Sequence, residues 1–191
     1  MRTEVFHLSK ITKKQMSVLK TALLSGMPCI LPTDTVYGLM VLGRVTKARE
    51  ILNTIKNNPQ NKPPQILCTL KQADILAADK KQLEQAHKHW PGALTAILTA
   101  SEEGKRYSGL DTVGLRVPNS QFLLELMESL ISPLLASSAN FHGAPICKNT
   151  AELLAVFDGI VPCIVLDDGN LKKNTPSKII DYTKNPPQII R

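Results

Sequence analysis

Apolar and polar positions change period several times along the chain, and each change marks an element. Between Thr12 and Ser25, Met16, Leu19, Ala22 and Leu23 recur at helical spacing, and Gly26 ends the stripe. The apolar stretch "CILP" reads as a short buried strand. From Thr46 to Lys56, Ala48, Ile51, Leu52 and Ile55 share one helical face. This helix must stop at "NNP", because the residue before a proline avoids the helical region. "QILCTL" (65–70) predicts a strand, with helical stretches following to Trp90.

"LTAILTA" (94–100) and "TVGLRV" (112–117) have β character, and Phe122, Leu123, Leu126, Met127 and Leu130 stripe another helix. "PLLAS" is a buried strand that runs into the polar "SSAN". Asn149, with Glu152 three residues on, predicts a capping box for a helix to Phe157, and "IVPCIVLD", "SKIIDY" and "PQII" finish as strands. Strands alternating with helices predict an α/β domain with a mixed, twisted sheet. Ligands of such sheets bind at strand ends, which makes "PTDTVYG" and "SSAN" candidates for one site.

Composition narrows the function classes. The 191 residues are 43% hydrophobic and 20% charged, and this length predicts one domain over residues 1–191. Only 4% are aromatic, which disfavours base stacking on an aromatic platform. Twenty-three basic against 16 acidic residues give a net charge of +7, which favours an anionic partner. The four cysteines lack the two-residue spacing of a zinc knuckle or redox motif, and they read as reduced, mostly buried thiols. The beginning "MRTEVFHLSK" has no apolar leader and no run is long enough for a membrane span, so a soluble, cytoplasmic protein is expected.

Common catalytic signatures are missing: there is no P-loop, GxGxxG, GxSxG or HExxH pattern. The histidines at 7, 87, 89 and 142 form no cluster. What remains is a series of polar loops after apolar strands. Taken alone, "PTDT" reads more readily as a plain turn than as a site, and "KNNPQNKPP" (56–64) as a solvated loop carrying Lys56 and Lys62. "WPGALT" (90–95) turns a corner into a strand. Arg116 lies among apolar strand residues and needs an anion, either a protein carboxylate or a ligand. Ser137, Ser138 and Asn140 are small donors suited to phosphate or carboxylate oxygens.

Taken in order, PTDTVYGL, K-x-x-P, WPG-x-LT, LDTVGLRVP, SSAN-x-x-G-x-P and PSKIID resemble the YrdC-type domain of threonylcarbamoyl-adenylate synthases, over roughly Phe6 to Arg191. The resemblance implies a twisted mixed sheet with surrounding helices and a deep basic concavity. It also implies formation of L-threonylcarbamoyl-adenylate and pyrophosphate from L-threonine, bicarbonate and ATP, with magnesium on the triphosphate. The product would pass to partner proteins that modify tRNA. Carried over by position, Thr33, Arg116 and Ser177 would hold threonine. Lys56, Thr112, Ser138, Asn140 and Arg191 would hold ATP. No side chain would act as a catalytic acid, base or nucleophile or as a metal ligand, and Lys56 and Arg116 would position substrates and stabilise charge.

The chain departs from the family pattern in several places. Asn58 stands where the family has an arginine, and losing a charged phosphate contact costs about 1.5–3 kcal/mol. Lys62 is a candidate replacement for it. "PPQILC" is more polar than the usual apolar run, Ser177-Lys178 replaces a Ser-Thr pair, and the additional C-terminal domain of longer members is not expected. Asn58 and the +7 charge leave a second reading open, an RNA-binding relative without adenylation.

Overall fold

The computed structural model describes residues 2–58, 63–167 and 175–191. Among these residues ten strands run as β1 (Glu4–His7), β2 (Cys29–Leu31), β3 (Gly38–Leu42), β4 (Gln65–Leu67), β5 (Leu94–Thr99), β6 (Thr112–Arg116), β7 (Leu134–Ser138), β8 (Cys163–Leu166), β9 (Lys178–Asp181) and β10 (Gln188–Ile189). Seven helices are interleaved with them: α1 (Lys13–Leu24), α2 (Ala48–Lys56), α3 (Leu70–Leu76), α4 (Lys80–His87), α5 (Glu102–Ser108), α6 (Gln121–Leu130) and α7 (Thr150–Phe157). A single 3-10 turn occupies Leu8–Lys10. The strands form one twisted mixed sheet in the order β1-β8-β2-β3-β7-β4-β6-β5-β9-β10, the α/β architecture the alternating pattern predicts.

Helix starts are encoded locally. Thr12 and Gln15 exchange hydrogen bonds in a capping box at α1, and Thr69 and Gln72 do the same at α3. The box at α3 corrects the expected strand 65–70: Thr69 turns the chain into a helix, so β4 ends at Leu67. Asn149 caps α7 by accepting from Glu152 N at 3.0 Å. Glu152 returns its carboxylate to Lys148 N and the Asn149 side chain instead of Asn149 N, so the expected box is incomplete. α2 stops two residues before the position that Pro59 restricts, because Asn57 takes left-handed backbone at φ 52°. β1 and β3 gain definition from their neighbours, whereas α5 carries local signals that the hydrophobic pattern does not report: Ser101 caps it, Glu102 and Glu103 open it and Gly109 ends it.

Strand alternation divides the interior into two cores. Ile30, Leu39, Val41, Ile66, Leu115 and Leu135 face the first, under α2, α3, α4 and α7. Cys29, Leu31, Met40, Leu42, Leu134 and Cys163 face the second, under α1 and α6. In-register pairs Leu135–Ile66–Leu115–Ala96 carry the first core across the width of the sheet. On the opposite face α1 and α6 cover β8, β2, β3 and β7, and a cavity lies over β4, β6, β5 and β9. All four cysteines are free and buried, as the pattern predicts. Among the described residues no helix is long and apolar enough to cross a membrane.

Candidate active site

The cavity, about 300 Å³, rests on the strand face turned away from the first core. Thr112, Gly114 and Arg116 of β6 and Thr95 and Ile97 of β5 form its floor, while the intervening Val113, Leu115, Ala96 and Leu98 are core. Val36, Leu52, Leu110, Ile146 and Ile179 supply apolar wall. Ser137 and Ser138 line one side, and Pro176, Ser177 and Arg191 another. A wall of this kind, mostly apolar with a few convergent polar groups, suits a small organic ligand.

Arg116 is 2% exposed, and three neighbouring segments fix it. It ion-pairs with Asp34, donates from Nη1 to Thr35 Oγ1 at 2.9 Å and from Nε to Gly92 O at 3.2 Å. The protein carboxylate anticipated for this arginine is therefore Asp34. A guanidinium has five N–H donors, so one on each terminal nitrogen is left for a ligand. Burial lowers the Arg116 pKa, the Asp34 carboxylate opposes this, and the positive charge of Arg191 lowers it further. Two cations thus bear on the same space.

The turn "PTDT" is built to hold that arginine. Thr33 Oγ1 accepts from Thr35 N at 3.0 Å and Val36 N at 3.1 Å and donates to Val36 O at 2.7 Å. With its one proton used on Val36 O, its 2.9 Å bond to Thr35 Oγ1 runs from Thr35 to Thr33. Thr35 then accepts from Arg116, and the chain Arg116–Thr35–Thr33–Val36 fixes the hydroxyl directions. Thr35 lines the cavity and Thr33 does not. The "WPG" corner acts from the other side: Gly92 N donates to Val117 O at 2.8 Å, and this places the carbonyl that Arg116 meets.

"PTDTVYG" and "SSAN" do meet. Gly38 pairs with Ser138 across β3 and β7, and Ala139 N donates to Tyr37 O at 2.8 Å. Lys56, 3% exposed, donates to Ser138 O at 2.6 Å, Asn140 O at 2.7 Å and Asn140 Oδ1 at 2.8 Å. Asn140 Oδ1 also accepts from Ser138 Oγ at 2.6 Å, and Asn140 Nδ2 donates to Ala144 O at 2.6 Å. Lys56 and Asn140 therefore brace the loop that presents Ser138, and neither lines the cavity.

Of the residues anticipated for the site, Thr112, Arg116, Ser138, Ser177 and Arg191 reach the cavity wall. Arg191 donates from Nε and Nη2 to Ser177 O, at 3.2 and 3.1 Å. Asn58 also lines the wall, donating to Asn53 Oδ1 at 3.4 Å. Lys62 lies outside the described residues. Among the described wall residues only Arg116 and Arg191 are charged, and Arg116 is ion-paired with Asp34. None of the described wall residues is a histidine, cysteine or carboxylate, and no metal-holding group of three such residues occurs among the described residues. Sequence reasoning missed Asp34, Thr35, Gln65 and Thr95. The first two stand inside the quoted turn, and the period-two pattern of β5 carries a signal for Thr95.

Known proteins resemble this chain over most of its length. The chain is 33% identical over 165 residues to the threonylcarbamoyl-AMP synthase of Pyrococcus abyssi (strain GE5 / Orsay), covering 84% of this chain and 48% of that protein. It is 29% identical over 166 residues to the threonylcarbamoyl-AMP synthase of Bacillus subtilis (strain 168), with the same coverage, 84% and 48%. The chain thus spans about half the length of these curated relatives. The crystal structure of P. abyssi Sua5 complexed with L-threonine superposes with a TM-score of 0.88 at 29% identity, over 99% of this chain and 57% of that one. The model of the Sua5/YciO/YrdC family, described as telomere recombination, matches residues 21–191, and to that family this chain belongs.

Proposed function

We propose that the chain is an enzyme, a nucleotidyltransferase that forms L-threonylcarbamoyl-adenylate and pyrophosphate from L-threonine, bicarbonate and ATP. ATP enters as its magnesium complex, and the product passes to partner proteins that modify an adenosine of tRNA. The observation that carries the proposal is a wall on which Arg116 and Arg191 stand with the hydroxyls of Thr112, Ser138 and Ser177, a set suited to holding two anionic substrates. Threonine and bicarbonate condense to a carbamate with loss of water, the ammonium proton passing to solvent, and the carbamate is already an anion. It attacks the α-phosphate and displaces pyrophosphate with no side chain needed to remove a proton. What the site must supply is alignment of two anions and compensation of charge on the leaving group.

Arg116 suits the threonine carboxylate: the two N–H groups left by Asp34, Thr35 and Gly92 are oriented before a ligand arrives. Ser177 and Arg191 close the same end. Thr112 offers a hydroxyl to the nucleotide, and Lys56 and Asn140 hold Ser138 beside it, where the Ser138 proton must leave Asn140 Oδ1 to reach a phosphate oxygen. Thr33 acts through Thr35. Asn58 brings no charge, so the phosphates meet a weaker field than an arginine at this position would provide.

The test is pyrophosphate release by the purified protein with magnesium, ATP and bicarbonate, with and without L-threonine. Release that requires both threonine and bicarbonate is expected. Release indifferent to threonine overturns the proposed substrate, and no release while ATP still binds overturns the proposal and favours the RNA-binding reading.

A further inference from the structure

We infer that Gln65 determines specificity at the amino-acid end of the cavity, where with Thr95 and Ser177 it recognises a hydroxyl on the substrate side chain. The inference rests on the adenylation reading above and adds the group that discriminates among amino acids.

Gln65 opens β4 and pairs with Ala136 of β7. The register Ile66–Leu115 sets Gly114 of β6 beside it, and β5 brings Thr95 from beyond. A methyl group on Gly114 would meet only Thr95 Cγ2, at 3.9 Å, so the floor between the two polar side chains is open. Across that opening Gln65 Nε2 donates to Thr95 Oγ1 and, at 3.4 Å, to Ser177 Oγ. Thr95 and Ser177 share a further hydrogen bond of 2.7 Å. All three residues line the cavity, with Thr95 5% and Ser177 3% exposed.

Counting protons shows what this group offers. Both Nε2 protons are used. The two hydroxyls hold two protons, and their mutual bond uses one, whichever oxygen donates. One hydroxyl proton is therefore left for a ligand. Gln65 Oε1 has no partner among the described residues and is not among their buried unsatisfied atoms, so on a residue of the cavity wall it is accessible as an acceptor. One donor beside one acceptor matches a single alcohol, which accepts one bond and donates another.

Arg116 stands two residues beyond Gly114 on the same face of β6, about 7 Å along the strand. An amino acid whose carboxylate meets Arg116 has the Gln65 group within reach of its side chain, and we place the side chain there. Threonine satisfies that group. Valine, of the same shape, leaves its donor and acceptor unpaired, and such sites reject a ligand lacking the hydroxyl far more strongly than apolar pockets do.

The experiment titrates L-threonine, L-serine and L-valine by calorimetry into the wild-type chain and Gln65→Leu, with pyrophosphate release measured in parallel. We expect wild type to prefer threonine over valine by at least about a hundredfold. Gln65→Leu should shrink that ratio at least about tenfold, chiefly through weaker threonine binding. Thr95→Val, which keeps shape and removes one hydroxyl, should do the same and carries the test if melting shows that Gln65→Leu is unfolded. A ratio unchanged within about twofold in both variants overturns the inference. So does a parallel loss of threonine and valine binding, which would tie the group to the shared amino-acid backbone, or a wild type without preference for threonine. Selective binding of threonine that depends on Gln65 but is not followed by pyrophosphate release upholds this inference and rejects the adenylation reading.

Discussion

Asp34→Ala asks whether Arg116 depends on its protein carboxylate. Side-chain exposure is 3% for Arg116 and 12% for Asp34, so neither can exchange the other for bulk water. Removing one partner from a buried ion pair costs about 3–5 kcal/mol, because the survivor stays desolvated without compensation. The lower end applies here, since Arg116 keeps neutral acceptors in Gly92 O and Thr35 Oγ1. At about 2–4 °C per kcal/mol for a chain of this size, a loss near 3 kcal/mol lowers the melting midpoint by about 6–12 °C.

A double-mutant cycle separates the pair from its surroundings. Arg116→Met strands the carboxylate, whereas Asp34→Ala with Arg116→Met leaves neither charge, and exchanging a whole buried pair for apolar groups is often neutral or stabilising. The double variant should therefore be more stable than the sum of the single losses predicts, with a coupling of at least about 2 kcal/mol. Urea unfolding at neutral pH measures all four corners. Single losses that add to within about 0.5 kcal/mol would refute the reasoning and show that the turn holds Arg116 by shape alone.

Two other perturbations follow from the same structure. In α5 a methyl on Gly104 would stand 2.2 Å from Leu76 O, so Gly104→Ala should lose about 1–3 kcal/mol instead of gaining helix propensity; Gly114→Ala, with open space around it, should melt within about 0.5 kcal/mol of wild type yet bind ligand less well. Burial raises the Cys68 thiol well above its ordinary 9.0, so the folded chain retains a proton that the unfolded chain releases above pH 9. Stability from this group is complete below pH 9 and falls above it by about 1.4 kcal/mol per pH unit, and Cys68→Ala should flatten that slope in urea unfolding between pH 8 and 10.

The elements with a strong period were legible in the sequence: the stripes of α1, α2 and α6 and the apolar strands β2, β5, β7 and β8 carry their own signal. Those that depend on context were not. β3 is buried on both faces, so "GLMVL" shows no alternation to read. β1 is defined by parallel pairing with β8, more than 150 residues away, which no local pattern reports. At the site, residue types suggested which loops meet, and Gly38–Ser138 pairing brings them together. They did not reveal which side chain of a loop reaches the cavity. Thr33 and Thr35 are the same amino acid two positions apart, and only the turn geometry puts one inside the turn and the other on the wall. Lys56 likewise reads as a phosphate ligand by type, but three carbonyl oxygens of the serine loop lie within its reach.

This makes the site a consequence of the core. In β6 the residues that pack, Val113 and Leu115, alternate with those that face the cavity, Thr112, Gly114 and Arg116. A slip of one residue would exchange the two sets, burying Arg116 in the first core and turning Leu115 into the cavity. The apolar pair thus fixes the register, and the register fixes the arginine to a precision that one exposed loop does not offer. The turns around Asp34 and Gly92 then select one orientation of a guanidinium already delivered to its place. Gln65 and Thr95 are set by the same rule on the flanking strands, through Ile66 and Ala96 packed beneath them. One continuous sheet thus imposes a fixed spacing on the donors of the polar floor.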